Sequence, residues 1–161
     1  MRAAQELFDA LRAEAEALHQ RNLLAQTVGP DYFEPGMMEY LEQSDGGFDE
    51  TDGTWFLRFE ARGTRYEGRT EQIETMRPGD EIRLIREPDN SFNPNNFTLV
   101  TRRGRNVGNV PASICNALAP LYDSGALVFT GARASFVEPI SKRSRHAKQA
   151  VLFVELRGKV Q

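Results

Sequence analysis

Residues able to hold a metal or form a covalent intermediate are scarce in this chain. One cysteine, Cys115, occurs in 161 residues, so no internal disulfide can form, and its place in an apolar helical pattern predicts a small buried hydrophobe. The two histidines, His19 and His146, lie far from each other and from that cysteine, and no zinc-ligand spacing results. No glycine-rich turn ends in Gly-Lys-Ser/Thr. The nearest stretch, Arg103-Gly104-Arg105-Asn106, has neither the lysine nor the spacing of a phosphate-binding loop. No apolar run approaches the roughly eighteen residues a membrane span needs. The N-terminus passes straight into an acidic amphipathic pattern without a signal-peptide stretch. These absences predict an intracellular, cytoplasmic protein, nucleoid-associated if it binds DNA, with no membrane partner, no metal and no cofactor. The carboxylates Glu60, Glu67, Glu71, Glu74, Asp80, Glu81, Glu87 and Asp89 are scattered through strands and turns, whereas a metal-dependent nuclease needs several converging on one point. No catalytic residue is assigned.

What the chain does have is charge, unevenly placed. The formal net charge of −3 averages two regions. Residues 1–54 hold three arginines against twelve carboxylates, a net of −9, and residues 55–161 hold seventeen basic residues against eleven carboxylates, a net of +6. Such asymmetry points to a part that binds a polyanion joined to an acidic extension, and it equally fits solvated faces whose charges segregate.

Apolar residues Leu7, Leu11, Ala15, Leu18 and Leu24 recur at helical spacing and predict an amphipathic helix over Ala3–Ala25, ended by Val28-Gly29-Pro30. Met37 to Glu42 repeats the pattern briefly. The acidic, glycine-rich stretch from Ser44 to Gly53 reads as a linker, so the expected division is a helical extension and linker over 1–54 and a domain over 55–161. From Trp55 the pattern alternates as a strand does, with Phe56 giving it apolar contacts on both faces. After the turn Pro78-Gly79-Asp80, residues Ile82 and Leu84 face inward on a second strand. Phe97 to Val100 and Asn106 to Val110 read as a hairpin with Arg102-Arg103-Gly104-Arg105 at its tip. A helix follows Pro111, with Ile114, Leu118, Leu121 and Tyr122 on one face, Pro120 bending or shortening it and Gly125 behind it. Strands near 126–137 and 150–157 close the domain around a basic loop, Ser141 to Lys148. The fold class expected is mainly β: a small OB/SH3-like β-barrel with one inserted α-helix, preceded by an α-helical N-terminal extension.

Between Arg77 and Leu121 the motifs stand in a telling order: Pro78-Gly79-Asp80; Ile82 to Ile85; Arg86-Glu87-Pro88-Asp89-Asn90-Ser91-Phe92-Asn93-Pro94-Asn95-Asn96; Phe97 to Val100; Gly104-Arg105-Asn106-Val107-Gly108-Asn109-Val110-Pro111; then Ile114 to Leu121. This order resembles the HIRAN domain family, a module of DNA-repair helicases of the helicase-like transcription factor type and of stand-alone bacterial proteins. Upstream, Arg62-Gly63-Thr64-Arg65-Tyr66-Glu67-Gly68 is similar to the family's Arg-Tyr stretch, and the likeness covers about 55 to 157. It implies a non-catalytic module that binds single-stranded DNA and seats a 3′ end, in repair, replication or defence.

On that resemblance Tyr66 and Phe92 are candidate stacking platforms for bases and Arg65 a phosphate contact. The plain alternatives are a half-buried strand tyrosine, a packed loop phenylalanine and an exposed strand arginine. Asn93 stands where the family carries an aspartate associated with the 3′-hydroxyl, and the amide loses the charge-assisted bond. Asn109 replaces a ring often found there. Asn90 keeps the family residue and can equally cap its own turn. Arg102, Arg103 and Arg105 form one basic cluster, and Lys142, Arg143 and Arg145 belong to another; either is an approach surface for nucleic acid or a solvated face. Partners expected are single-stranded DNA, with RNA open, a helicase or nuclease, and a second copy through the Ala3–Ala25 helix. The rival reading is a protein-interaction adaptor docking through that helix. A third joins the two, with the acidic segment 34–52 folding over the basic face as a mimic of DNA.

Overall fold

The computed structural model describes residues 2–28, 43–66, 68–142 and 148–161. The short helical pattern at Met37 to Glu42, and Arg143 and Arg145 of the basic loop, lie outside the described residues. In chain order the elements are α1 (Arg2–Val28), β1 (Asp45–Phe48), β2 (Thr54–Glu60), α2 (Arg69–Glu74), β3 (Ile82–Glu87), β4 (Asn96–Thr101), β5 (Asn106–Asn109), α3 (Ala112–Asp123), β6 (Leu127–Glu138) and β7 (Val151–Val160), with a 3-10 turn at Ile140–Lys142. Among the described residues no helix is long and apolar enough to cross a membrane.

Expected as a closed barrel, the strands instead make two antiparallel sheets, β1-β2-β7-β6 and β3-β4-β5. Only isolated bridges join them, Arg62 with Asn109 at one side and Glu81 with Arg133 at the other. A continuous ladder fails for local reasons. After β2 the chain turns away through Gly63 and α2 rather than running on beside β5. Strand β6 carries register shifts between Phe129 and Gly131 and between Ala134 and Phe136, and such bulges bend a strand off its neighbour. The core between the sheets is built from Leu57 and Phe59 of β2, Ile82 of β3, Phe97 and Leu99 of β4, and Leu152, Val154 and Leu156 of β7, closed by Ile114, Cys115 and Leu118 of α3. Cys115 is buried as expected, and burial pushes its thiol pKa up. Pro120 sits in the last turn of α3, where the helix runs only three residues further.

The stretch read as a linker contains β1, paired with β2 from Asp45↔Arg58 to Phe48↔Trp55. Its two glycines are what the position demands. A Cβ at Gly46 would lie 2.7 Å from the Ala15 Cα, so the glycine lets α1 press its backbone against the strand. Helix α1 buries Leu7, Leu11, Ala15 and Leu18 there, in the same core as the sheets, and the rings of Phe8 and Phe48 meet edge to face at 5.5 Å. The stripe that suggested a dimer is therefore covered within one chain, with Leu23 and Leu24 left exposed. The acidic residues behind it are occupied locally. Asp45 pairs with Arg58, Glu50 pairs with Arg12, and Asp49 and Asp52 cap the turn through Thr51 and Thr54. In its described part the acidic segment thus does not lie over the basic face.

The loop between β3 and β4 is held by Arg86. Its Nε and Nη2 each donate to a carboxylate oxygen of Asp123 at 2.9 Å, and its Nη1 donates to the carbonyls of Pro94 at 2.6 Å and Asn96 at 3.3 Å. One guanidinium thereby ties the loop to the end of α3, over the ring of Phe97 at 5.5 Å.

Two outcomes follow from this packing. Leu11→Ala is expected to cost about 2–5 kcal/mol in urea unfolding, as for a fully enclosed leucine; a loss under about 0.5 kcal/mol would show that α1 is dispensable to the core. Arg86→Ala is expected to cost about 1.5–3 kcal/mol through its charged hydrogen bonds. The Arg86 hydrogen bond and charge hold the Asp123 carboxyl below its ordinary value. That contribution is complete above the ordinary aspartate value of about 3.9 and is lost as pH falls through the lowered one. Asp123→Asn is expected to flatten that acid limb of the stability curve, by a small amount because the carboxylate is half-exposed.

Candidate nucleic-acid interface

Where the two sheets meet, the reciprocal main-chain bonds Arg62 N–H to Asn109 O (2.8 Å) and Asn109 N–H to Arg62 O (2.9 Å) bring β2 against β5. Gly108 makes this approach possible. It has φ +141°, and a Cβ there would stand 2.8 Å from the Arg62 carbonyl oxygen. Beside the junction opens a groove of about 1030 Å³. The Gly63–Tyr66 turn and α2 form one wall, the Asn90–Asn93 loop forms the other, and β4 and β5 supply the floor.

The floor is a polar network. Asn96 Nδ2 donates to Glu87 Oε1 at 2.7 Å and to Asn109 Oδ1 at 3.2 Å, and the Thr98 hydroxyl donates to the same Glu87 oxygen. Asn96 and Thr98 are buried, so this pairing is required rather than incidental. Glu87 Oε2 accepts no hydrogen bond from the described residues. On the near wall, Arg69 of α2 is almost fully buried and donates from Nη1 to the Gly63 carbonyl at 3.0 Å, bracing the turn that presents Tyr66. Tyr66 is 51% exposed in a loop, not a half-buried strand residue. The Arg65 guanidinium lies 4.8 Å from its ring centroid and donates to its hydroxyl.

On the far wall Asn90 Oδ1 accepts from the main-chain N–H of Phe92 (2.9 Å) and of Asn93 (3.0 Å), which is the turn-capping role. Asn93 is committed at both ends, accepting from Asn95 N–H at 2.9 Å and donating to Asn116 Oδ1 at 3.2 Å. Phe92 is 97% exposed, the most exposed of the large apolar side chains described.

Tyr66, Asn90, Phe92, Asn93 and Asn109 thus share one groove, with Arg65 on its rim. Arg103 and Arg105 are exposed at the β4–β5 tip and Lys142 is exposed in the 3-10 turn; none of the three lines the groove. The sequence reading missed Arg62, Arg69, Glu87, Asn96 and Thr98. Of these, Arg62 opens the Arg-Tyr stretch, Arg69 follows it, and Glu87 and Asn96 lie inside the quoted loop motif, so position alone could have marked them. Among the described residues no three His, Cys, Asp or Glu side chains gather as a metal site would require.

Solved structures of HIRAN domains and of a bacterial protein are among those similar to the chain. The crystal structure of the HIRAN domain of human HLTF is 21% identical with a TM-score of 0.46, over 65% of this chain and 76% of that one. A Lactobacillus plantarum protein is 18% identical with a TM-score of 0.49, over 62% and 90%. The NMR structure of the HLTF HIRAN domain in its DNA-bound conformation is 17% identical with a TM-score of 0.44, over 66% and 76%. No curated protein matches the chain. The family model of the HIRAN domain matches residues 56–152, more than half of the chain and all of the groove described above, and the chain belongs to the HIRAN domain family.

Proposed function

We propose that residues 55–161 form a non-catalytic module that binds single-stranded DNA in the groove between the Tyr66 turn and the Asn90–Asn93 loop, with residues 1–54 as its acidic support. The observation that carries this reading is Phe92. A lone exposed apolar residue needs no explanation. Here a phenyl ring almost wholly in water stands across a polar groove from a second exposed ring that already carries an arginine over one face. Two aromatic faces with a cation beside them suit unpaired bases and the phosphates between them. Membership of a family with a member solved in its DNA-bound conformation supports DNA as the ligand.

The finer reading is a 3′ end. Asn93 occupies the place where the resemblance would put an aspartate, and both ends of its amide are taken up within the loop. A terminal hydroxyl is then left with Glu87 Oε2 as the anionic acceptor of the groove. The arginines of the β4–β5 tip and Lys142, Arg143 and Arg145 act as the approach surface, and any strand-processing activity belongs to a helicase or nuclease partner.

Fluorescence anisotropy with short single strands ending in a 3′-hydroxyl, a 3′-phosphate or a duplex tests both levels. Phe92→Ala is expected to weaken binding by about 1–3 kcal/mol without moving the melting temperature, because the ring supports nothing in the fold. Arg65→Ala is expected to weaken it less, and Glu87→Gln to narrow the preference for a free hydroxyl. Equal affinity for every kind of end would remove the end reading and keep the binder, whereas wild-type affinity in Phe92→Ala would remove the stacking site. If about four phosphates are neutralised, log affinity falls against log salt with a slope near −3, at about 0.7 per phosphate; a flat response would remove the phosphate contacts.

A further inference from the structure

The second meeting of the two sheets differs from the first. Strands β3 and β6 are each the outermost strand of their sheet. They meet where the chain enters β3 beside the second half of β6, with Gly79 N–H donating to Ala134 O at 2.7 Å, Ala134 N–H donating to Asp80 O at 2.8 Å, and the antiparallel bridge between Glu81 and Arg133. No ladder continues past that bridge. β6 shifts register between Phe129 and Gly131, and a cleft of about 690 Å³ opens along β3 as far as Ile85. Alternate residues of an edge strand send N–H and C=O away from the partner strand. Both walls of the cleft therefore carry main-chain groups that no strand among the described residues pairs.

The cleft is also where apolar surface collects. Ile85, Tyr122 and Val128 line it and are each between a third and a half exposed, three of the seven large hydrophobic side chains exposed among the described residues. Phe129 lies beneath, stacked on Tyr122 at 5.0 Å. The rim is basic. Arg83 donates to the Arg102 carbonyl at 2.7 Å, which sets it beside the exposed Arg103 and Arg105, and Arg133 shares the single carboxylate of Glu155 with Arg58 and Arg157. Glu81 is the one carboxylate lining the cleft.

We infer that this seam is a docking site for an extended peptide, which adds as a strand along the open edges, seats alternate apolar side chains on Ile85, Tyr122 and Val128, and turns acidic side chains toward Arg83 and the hairpin tip. Unpaired sheet edges select polypeptide, because a peptide backbone supplies donors and acceptors at the strand repeat and a nucleic-acid backbone supplies acceptors alone. The excess of guanidinium groups selects acidic residues within it. From the bridge to the end of β3 the open edge accommodates a segment of about six residues. The occupant is a partner protein's strand, at a place separate from the groove.

The test uses the full chain and a fluorescein-labelled synthetic peptide of about six residues alternating valine with glutamate, measured by anisotropy. The peptide is expected to bind, and the same peptide methylated on alternate backbone nitrogens is expected to bind at least about tenfold more weakly. Ile85→Lys and Val128→Lys, both at exposed positions, are expected to weaken it similarly while their melting curves and their affinity for single-stranded DNA stay at wild-type values. No binding by the unmodified peptide, or equal binding by the methylated one, overturns the proposal. Unchanged peptide affinity in both lysine variants does so too, as does a loss of DNA affinity in them, which would assign the seam to nucleic acid.

Discussion

The pairing of Arg62 with Asn109 is the constraint on which the remainder of the molecule is arranged. Two short main-chain bonds join sheets that share no ladder, and they form only because residue 108 has no side chain to hold the strands apart. Everything the groove needs is then suspended from that point. The chain leaving β2 must reverse at once, which throws Tyr66 up as a wall, and α2 returns Arg69 beneath the turn to hold its carbonyl. The strand on the other side of the bond delivers Asn109 into the floor network with Asn96, Thr98 and Glu87. A buried network of this kind is costly when any member is unpaired, so the same contacts that shape the floor also hold it to one arrangement.

Features that depend on near neighbours in the chain were legible in the sequence. The α1 stripe, the β4–β5 hairpin and the order of loop motifs follow from local periodicity and turn chemistry, and Tyr66, Asn90, Phe92, Asn93 and Asn109 do gather in one groove. What could not be read depends on partners far along the chain. Strand β1 is Asp-Gly-Gly-Phe, without a β-branched residue; it becomes a strand because β2 has a free edge and α1 needs small residues beneath Ala15. Arg86 finds Asp123 across thirty-seven positions, and no spacing rule connects them. The division into two sheets rests on a bulge in β6 and on Gly63, neither of which changes the count of strands from which a closed barrel was expected.

The charge asymmetry gains a different meaning once the partners are known. Asp45, Asp49, Glu50 and Asp52 serve α1, β1, β2 and their turns, and on the outer face of the larger sheet Glu155 gathers three guanidiniums. Burial pushes the Glu155 carboxyl up, but the Arg157 hydrogen bond and the charges of Arg157, Arg133 and Arg58 outweigh it and hold the group below its ordinary value. Glu155 and, through Arg58, Asp45 offset only part of that charge, and the face keeps an excess of guanidinium. Arg62 at the groove and the exposed Arg103 and Arg105 at the hairpin tip lie outside that cluster, so the net +6 after residue 54 is spread over more than one face.

A ring held in water contributes nothing to folding, and its position has to be maintained by other groups. In the Asn90–Asn93 loop this is done twice over. The Asn90 side chain caps the main chain of Phe92 and Asn93, and Arg86 clamps the loop's far end to α3. A loop ordered before a ligand arrives does not lose that freedom on binding, so under the proposed stacking of bases no affinity would be spent on ordering the platform. The same reasoning accounts for Asn93 as the structure has it. An amide can both accept from Asn95 N–H and donate to Asn116, whereas a carboxylate could do only the first. Where the resemblance would put an aspartate, the amide therefore adds a tie between the loop and α3, and the platform gains rigidity from it.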